Sequence, residues 1–340
     1  MRPNLLPEIL SVFRFRLHKC AILGDVSQAF PQIAIDPTDR DLTRFMWYRV
    51  VPNSQGSYDT TDEVIIYRFT RLPVGLTSSP FLLSATIRTL GKMYHDTYPA
   101  ACALMDRSSY MDDFGASSSH DNDIVTIFFQ VTSLMNTIHL TVYKWATNST
   151  HLQHIWQTQG LPLQTETQVI GIDWDTQPDT IHINHTNFTR TLPERLATTR
   201  QVLQVTSRFY DPLGLFSPVA LVGKLLFQDT WTRVLARDEV LHPDIAVKWL
   251  SWTSQLHHLS DLHVPRWIGA QKHKLQECEV HVFGYASEPA YGAVIYLKSI
   301  SDNAVNVRLI CGKARLAPIK RVTMPRLELL AALVATRLMR

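Results

Sequence analysis

SSYMDDFGAS, residues 108–117, places a tyrosine and a methionine directly in front of two adjacent carboxylates, Asp112 and Asp113. Like charges side by side repel unless a cation sits beside them. On a surface turn such a pair is merely solvated, so its meaning depends on a counterpart elsewhere in the chain. Asp25 is that counterpart. It closes the apolar run CAILG (residues 20–24), which predicts a buried strand delivering a carboxylate at its C-terminal end. The apolar flanks of Asp112 predict a tight hairpin, with the strands carrying both aspartates as neighbours in one sheet. Carboxylates on neighbouring strands are the usual protein share of a two-magnesium site for phosphoryl or nucleotidyl transfer, which leaves coordination positions for phosphates and water.

Outward from this pair, residues 4–17 show helical apolar spacing with Arg14 and Arg16 near the end. FMWYRVV (45–51) and EVIIYRFTRL (63–72) read as a hairpin joined by the turn-rich segment 52–62. A helix follows over 76–94, with Ser78 or Ser79 as cap and Pro80 in its first turn, and another over 122–140. LTVYKW (140–145), TQVIGIDWD (167–175) and DTIHI (179–183) read as short strands. From 192 to 256 the pattern is helical, broken at YDPLGLFSPV (210–219) by two prolines and a glycine. Strands then return at 280–297 and 306–315, before a helix over 325–338. The fold class is α+β. The expected layout is a mixed body over 1–185, a helical connector over 186–275 and a β-then-α domain over 276–340.

At 340 residues the chain is long enough for two or more cores, and its net charge of +3 permits a polyanionic partner without demanding one. The 4 cysteines lie far apart without a CxxC pair, so a zinc site and a disulfide framework are both disfavoured and a reducing compartment is expected. No apolar run approaches the ~20 residues of a membrane span, and the opening lacks a signal-peptide core. His257, His258 and His263, and the pair His151 and His154, lack the cysteine or carboxylate spacing that completes a metal site.

DVSQAF (25–30), LPVGLTSSPF (72–81) and YMDD (110–113), in that order, resemble the palm motifs of reverse transcriptases. RFYDPLGLFSPV (208–219) and MPRLELLAALVATRL (324–338) make the chain most similar to the Pao (BEL/Pao) long-terminal-repeat retrotransposons. The resemblance implies a right-hand polymerase palm with partial fingers over 1–185, a helical thumb or connection, and a truncated ribonuclease-H-like domain. It implies an RNA-directed DNA polymerase acting on a primed RNA or DNA template with deoxynucleoside triphosphates and two Mg²⁺, Mn²⁺ being an alternative ion. The expected location is the cytosol, a virus-like particle or the nucleus. Asp25, Asp112 and Asp113 would be the catalytic metal ligands, and Phe30 a steric gate against a nucleotide 2′-OH. Val74, Gly75 and Lys144 would contact the nucleotide, and Tyr110 and Met111 the primer end. Val74 stands where many relatives carry glutamine, which removes a side-chain hydrogen bond.

Two departures from the family pattern are expected to matter. The resemblance places a basic fingers segment before residue 1, and without it extension by these 340 residues is expected to be poor. Tyr285 stands where the first ribonuclease H aspartate belongs, and only Glu328 of the acidic set is matched before Arg340. A tyrosine is neutral at pH 7 and cannot replace a bridging carboxylate, so ribonuclease H activity is expected to be absent. The rival readings are a non-catalytic remnant that keeps nucleic-acid binding and a nuclease using Asp25 and Asp112 alone; YMDD and the motif order favour polymerisation over the nuclease.

Overall fold

The computed structural model describes residues 6–110, 113–169, 171–183, 186, 197–269, 275–301 and 304–339. These form two compact units, one of residues 24–114 and 125–145, the other of residues 1–23, 115–124 and 146–340.

Helix α1 (Leu6–Leu17) leads into strand β1 (Cys20–Val26), buried from Cys20 to Gly24 as its apolar run requires. Gln28, left-handed at φ 49, turns the chain into the short helix α2 (Ala29–Gln32). Strands β2 (Arg44–Pro52) and β3 (Tyr58–Arg68) form the expected hairpin, paired from Arg44↔Arg68 to Pro52↔Tyr58. The turn is shorter than the sequence suggested. Asn53 N–H donates to the Ser57 carbonyl and Gly56 takes φ 77, so pairing resumes at Tyr58. Helix α3 (Ser79–Met93) starts at the predicted caps and buries Leu83, Ile87 and Leu90 on one stripe. Helix α4 (Pro99–Ser108) has no counterpart in the sequence reading. Its signal is Pro99 at the first position followed by alanines, the best helix formers.

Strands β4 (Ser109–Tyr110) and β5 (Asp113–Ser118) precede helix α5 (Asp121–Asn136). That helix ends before residue 140 because His139 adopts φ 57, and the Leu140 N–H closes the turn onto the Met135 carbonyl. Strand β6 (Val142–Thr147) and helix α6 (Thr150–Thr158) follow, the Ser149 Oγ capping α6 through the Leu152 N–H. The first sheet has the order β4-β5-β1-β6.

TQVIGIDWD is two strands rather than one. Gly171, at φ 77, reverses the chain so that β7 (Glu166–Val169) pairs antiparallel with β8 (Ile172–Asp175) from Val169↔Ile172 onward. With β9 (Thr180–His182) and β10 (Val264–Pro265) they make a sheet of order β10-β9-β8-β7. The connector holds helices Thr199–Ser207, Ser217–Thr232 and Pro243–Gln255; the expected 192–198 portion falls mostly outside the described residues. The long antiparallel strands β11 (Leu275–Ala286), β12 (Ala290–Ser301) and β13 (Ala304–Leu316) then form a sheet, and helix Met324–Leu338 packs on β11 and β12 around Ala286, Leu327 and Ala331.

The break at YDPLGLFSPV is a docking turn. The Asp211 carboxylate accepts the backbone N–H groups of Leu215 and Phe216 at 2.9 and 2.8 Å, and burial pushes its pKa up against those bonds. Gly214 has φ 69, and a Cβ there would lie 1.9 Å from the Gly312 carbonyl oxygen. Gly312 N–H in turn donates to the Leu213 carbonyl at 2.7 Å, so the turn sits on β13 backbone to backbone.

Two arginines are buried in the same unit. Arg266 pairs with Asp179 through Nε at 2.6 Å and Nη2 at 2.9 Å, and its guanidinium lies over Phe15 and Trp174. Arg16 donates to the carbonyls of Arg266, Ile310 and Leu309 at 3.0, 2.8 and 2.9 Å, which ties α1 to β13. Burial, with a smaller contribution from Arg266, lowers the Arg16 pKa to about 10. Among the described residues no helix is long and apolar enough to cross a membrane.

Candidate active site

Gly24 and Asp25 end β1 against β6. A Cβ on Gly24 would lie 2.6 Å from the Trp145 ring and 2.8 Å from Val142 Cγ1, so only glycine lets the two strands approach this closely. Trp145 is held in turn by an edge-on contact with Phe128, centroids 5.2 Å apart. This approach places Lys144 beside Asp25, with Nζ 2.9 Å from Oδ2. The carboxylate side chain keeps 32% of its surface exposed, open enough to take a ligand.

Strands β4 and β5 pair at Ser109↔Phe114 and Tyr110↔Asp113, which is the expected tight hairpin. Its two central residues, Met111 and Asp112, lie outside the described residues, as do the side chains of Tyr110 and Asp113. The sheet order makes β5, which begins at Asp113, the direct neighbour of β1. The strands flanking the acidic hairpin and Asp25 therefore lie side by side.

A second wall is built by backbone bonds. Leu72 N–H donates to the Ile33 carbonyl at 2.9 Å, Ile35 N–H to the Thr70 carbonyl at 3.0 Å, and the Arg71 guanidinium to the Gln32 carbonyl at 2.8 Å. These hold α2, with half-buried Phe30, next to the loop at 72–79. In that loop Val74 is 74% exposed, Gly75 takes φ 97, and the Ser79 hydroxyl donates to the Pro73 carbonyl at 2.6 Å. Gly24, Gln28 and Arg71 were not singled out from the sequence. For Gly24 the readable signal is a glycine directly before the strand-end aspartate.

Tyr285 and Glu328 line different hollows. Tyr285 is 79% exposed on β11 beside Phe283, Gly292 and Ala314, whereas Glu328 sits with Val282 and Gly284. Among the described residues no group of three or more His, Cys, Asp or Glu converges, and the rings of His257 and His258 lie 4.0 Å apart, tilted by 38°.

Residues 5–160 match the family model for reverse transcriptase (RNA-dependent DNA polymerase), and residues 198–340 match that for the Pao retrotransposon-like RNaseH-like domain. Among solved structures, the foamy viral protease-reverse transcriptase in complex with an RNA/DNA hybrid matches with a TM-score of 0.58 at 15% identity, over 96% of this chain and 38% of that one. The same viral protein, in a dRH form with double-stranded DNA, matches with a TM-score of 0.55 at 14% identity, over 95% of this chain and 48% of that one. The likeness is one of fold, and the chain spans less than half the length of the viral chains it matches. No curated protein matches the sequence.

Proposed function

The chain carries a reverse transcriptase domain followed by a Pao retrotransposon-like RNaseH-like domain, and from that premise we propose that it is the RNA-directed DNA polymerase portion of a Pao-type retroelement. In this reading residues 1–185 are palm and partial fingers, 186–275 thumb or connection, and 276–340 the ribonuclease-H-like part. The observation that carries the reading is the side-by-side placement of β1, which carries Asp25 next to its last residue, and β5, starting in the YMDD hairpin.

Reverse transcriptases use divalent metal ions, and in this chain two Mg²⁺ would be held by Asp25, Asp112 and Asp113. The donor set fits: these are hard carboxylate oxygens, and Asp25 already has a cationic group 2.9 Å away. Bound there, the ions would lower the pKa of the primer hydroxyl and neutralise charge on the leaving phosphate oxygens. The chain's own residues orient the reactants. Phe30, fixed next to the 72–79 loop, would exclude a ribose 2′-OH. Gly75 would let the backbone approach the incoming nucleotide, while Val74 offers it only apolar contact. Tyr110 and Met111 would flank the primer end, and Lys144 would meet the triphosphate. The partners are then a primed RNA or DNA template and deoxynucleoside triphosphates. Tyr285 in place of an acid, lining a different hollow from Glu328, supports an inactive ribonuclease H site.

The test is Mg²⁺-dependent extension of a DNA primer on an RNA template. Asp25→Asn and Asp112→Asn should each take whatever extension the parent chain shows down to background, since losing one charge clamp on a transferring phosphate is worth about 10³-fold or more. Extension that survives either change would sink the assignment. A folded chain that binds primer–template but shows no metal-dependent extension would favour the non-catalytic remnant.

A further inference from the structure

Lys144 sits in strand β6 with φ 50, a left-handed conformation that costs a residue with a Cβ roughly 1–2 kcal/mol. Such strain persists only where the surroundings over-determine it, and its presence is a reason to look for a role. Its effect on the strand is visible. Val142 is buried, but Tyr143 and Lys144 are both exposed, so the alternation of an ordinary strand is broken at this residue. The two anchors on either side are Val142 and Trp145, both pressed against Gly24. With its neighbours pinned and its own backbone reversed, the Lys144 side chain turns to Asp25, closing an ion pair at 2.9 Å. The Gly24–Trp145 approach and the left-handed lysine thus produce one result: an ammonium group on the carboxylate at the strand end.

We propose that Lys144 is a built-in placeholder for the divalent cation at Asp25, so that metal binding must first break the Lys144–Asp25 pair and turns the ammonium toward the nucleotide's phosphates. A carboxylate oxygen already engaged by an ammonium is a poorer ligand, and the metal affinity of the free chain is reduced by the stability of that pair. The pair is partly exposed on both sides, so its worth is that of a surface ion pair. The device keeps the site weakly loaded until metal and nucleotide arrive together, because the triphosphate offers the displaced lysine an anionic partner in place of Asp25. This inference rests on the metal assignment at Asp25, and its test separates the two.

The full 340-residue chain is titrated with Mn²⁺, and the free ion is followed by electron paramagnetic resonance. Lys144→Met should tighten the Asp25 site about two- to fivefold, the fold-change equivalent of a surface ion pair. Lys144→Arg should leave it as weak as in the parent. Asp25→Asn should remove the site in every background. Unchanged or weaker binding in Lys144→Met, with Asp25→Asn still abolishing the site, overturns the placeholder role and leaves the metal assignment standing. Binding indifferent to Asp25→Asn overturns both. A measurement on the parent chain guards against a variant that fails to fold. The ¹⁵N-ammonium resonance of Lys144 should move on saturation with Mg²⁺, and a resonance that does not move overturns the proposal.

Discussion

Replacing Arg16 by methionine asks how much of the fold depends on one buried guanidinium. The side chain is 1% exposed and supplies three short hydrogen bonds to carbonyls on Arg266, Ile310 and Leu309. Each acceptor left dry and unpaired costs about 1–3 kcal/mol, so the gross loss is roughly 3–9 kcal/mol. Burial of the charge works the other way. A pKa held down to about 10 from 12.5, by burial first and by Arg266 second, corresponds to about 3 kcal/mol of disfavoured charge that methionine does not carry. The expected net loss is roughly 0–6 kcal/mol, about 3 at mid-range, read from the shift of the guanidinium-chloride midpoint at constant slope. Hydrogen exchange localises it: amides over 264–268 and 305–312 should lose protection, whereas the β2–β3 hairpin should not. Arg16→Lys keeps the charge but has a single nitrogen in place of the planar fork, so it should lose most of the same stability. A methionine variant more stable than the parent would refute the reasoning, and a lysine variant as stable as the parent would show that charge rather than fork geometry matters.

Gly214→Ala should destabilise the C-terminal sheet by more than about 2 kcal/mol, since its Cβ meets the Gly312 carbonyl at 1.9 Å and its φ of 69 disfavours any side chain; an unchanged melting temperature would contradict the docking turn. Asp211 has a folded pKa above the ordinary 3.8, so the native state holds its proton longer than the unfolded chain does. Its contribution is therefore greatest below pH 3.8 and is lost as pH rises through the folded value, and Asp211→Asn should remove that downward slope from a plot of stability against pH. Phe30→Ala should raise incorporation of ribonucleotides relative to deoxyribonucleotides in primer extension by about tenfold or more, on the scale of ~1.4 kcal/mol per decade; an unaltered ratio would remove the gate from Phe30.

The sequence alone determined what depends on short range. The apolar run before Asp25, the β2–β3 hairpin, the Ser78–Pro80 start of α3 and the acidic hairpin are all local patterns, and each forms, the β2–β3 hairpin with its second strand starting earlier, at Tyr58. Where reading failed, one backbone conformation usually decided: Gly171 split a strand in two and His139 ended a helix early, and φ at a single residue is not written in hydrophobic period. Residues distant in the chain were settled only by tertiary packing. Arg14 and Arg16 look alike at the end of α1, yet one is exposed and the other is closed in by carbonyls about 250 and 290 residues away. Likewise the motif supplied Asp25, but the cation beside it came from a glycine too small to hold β6 off and a lysine bent left-handed 119 positions later. Periodicity records which face of an element is apolar; which far-off group meets it is fixed by the steric fit of the whole unit.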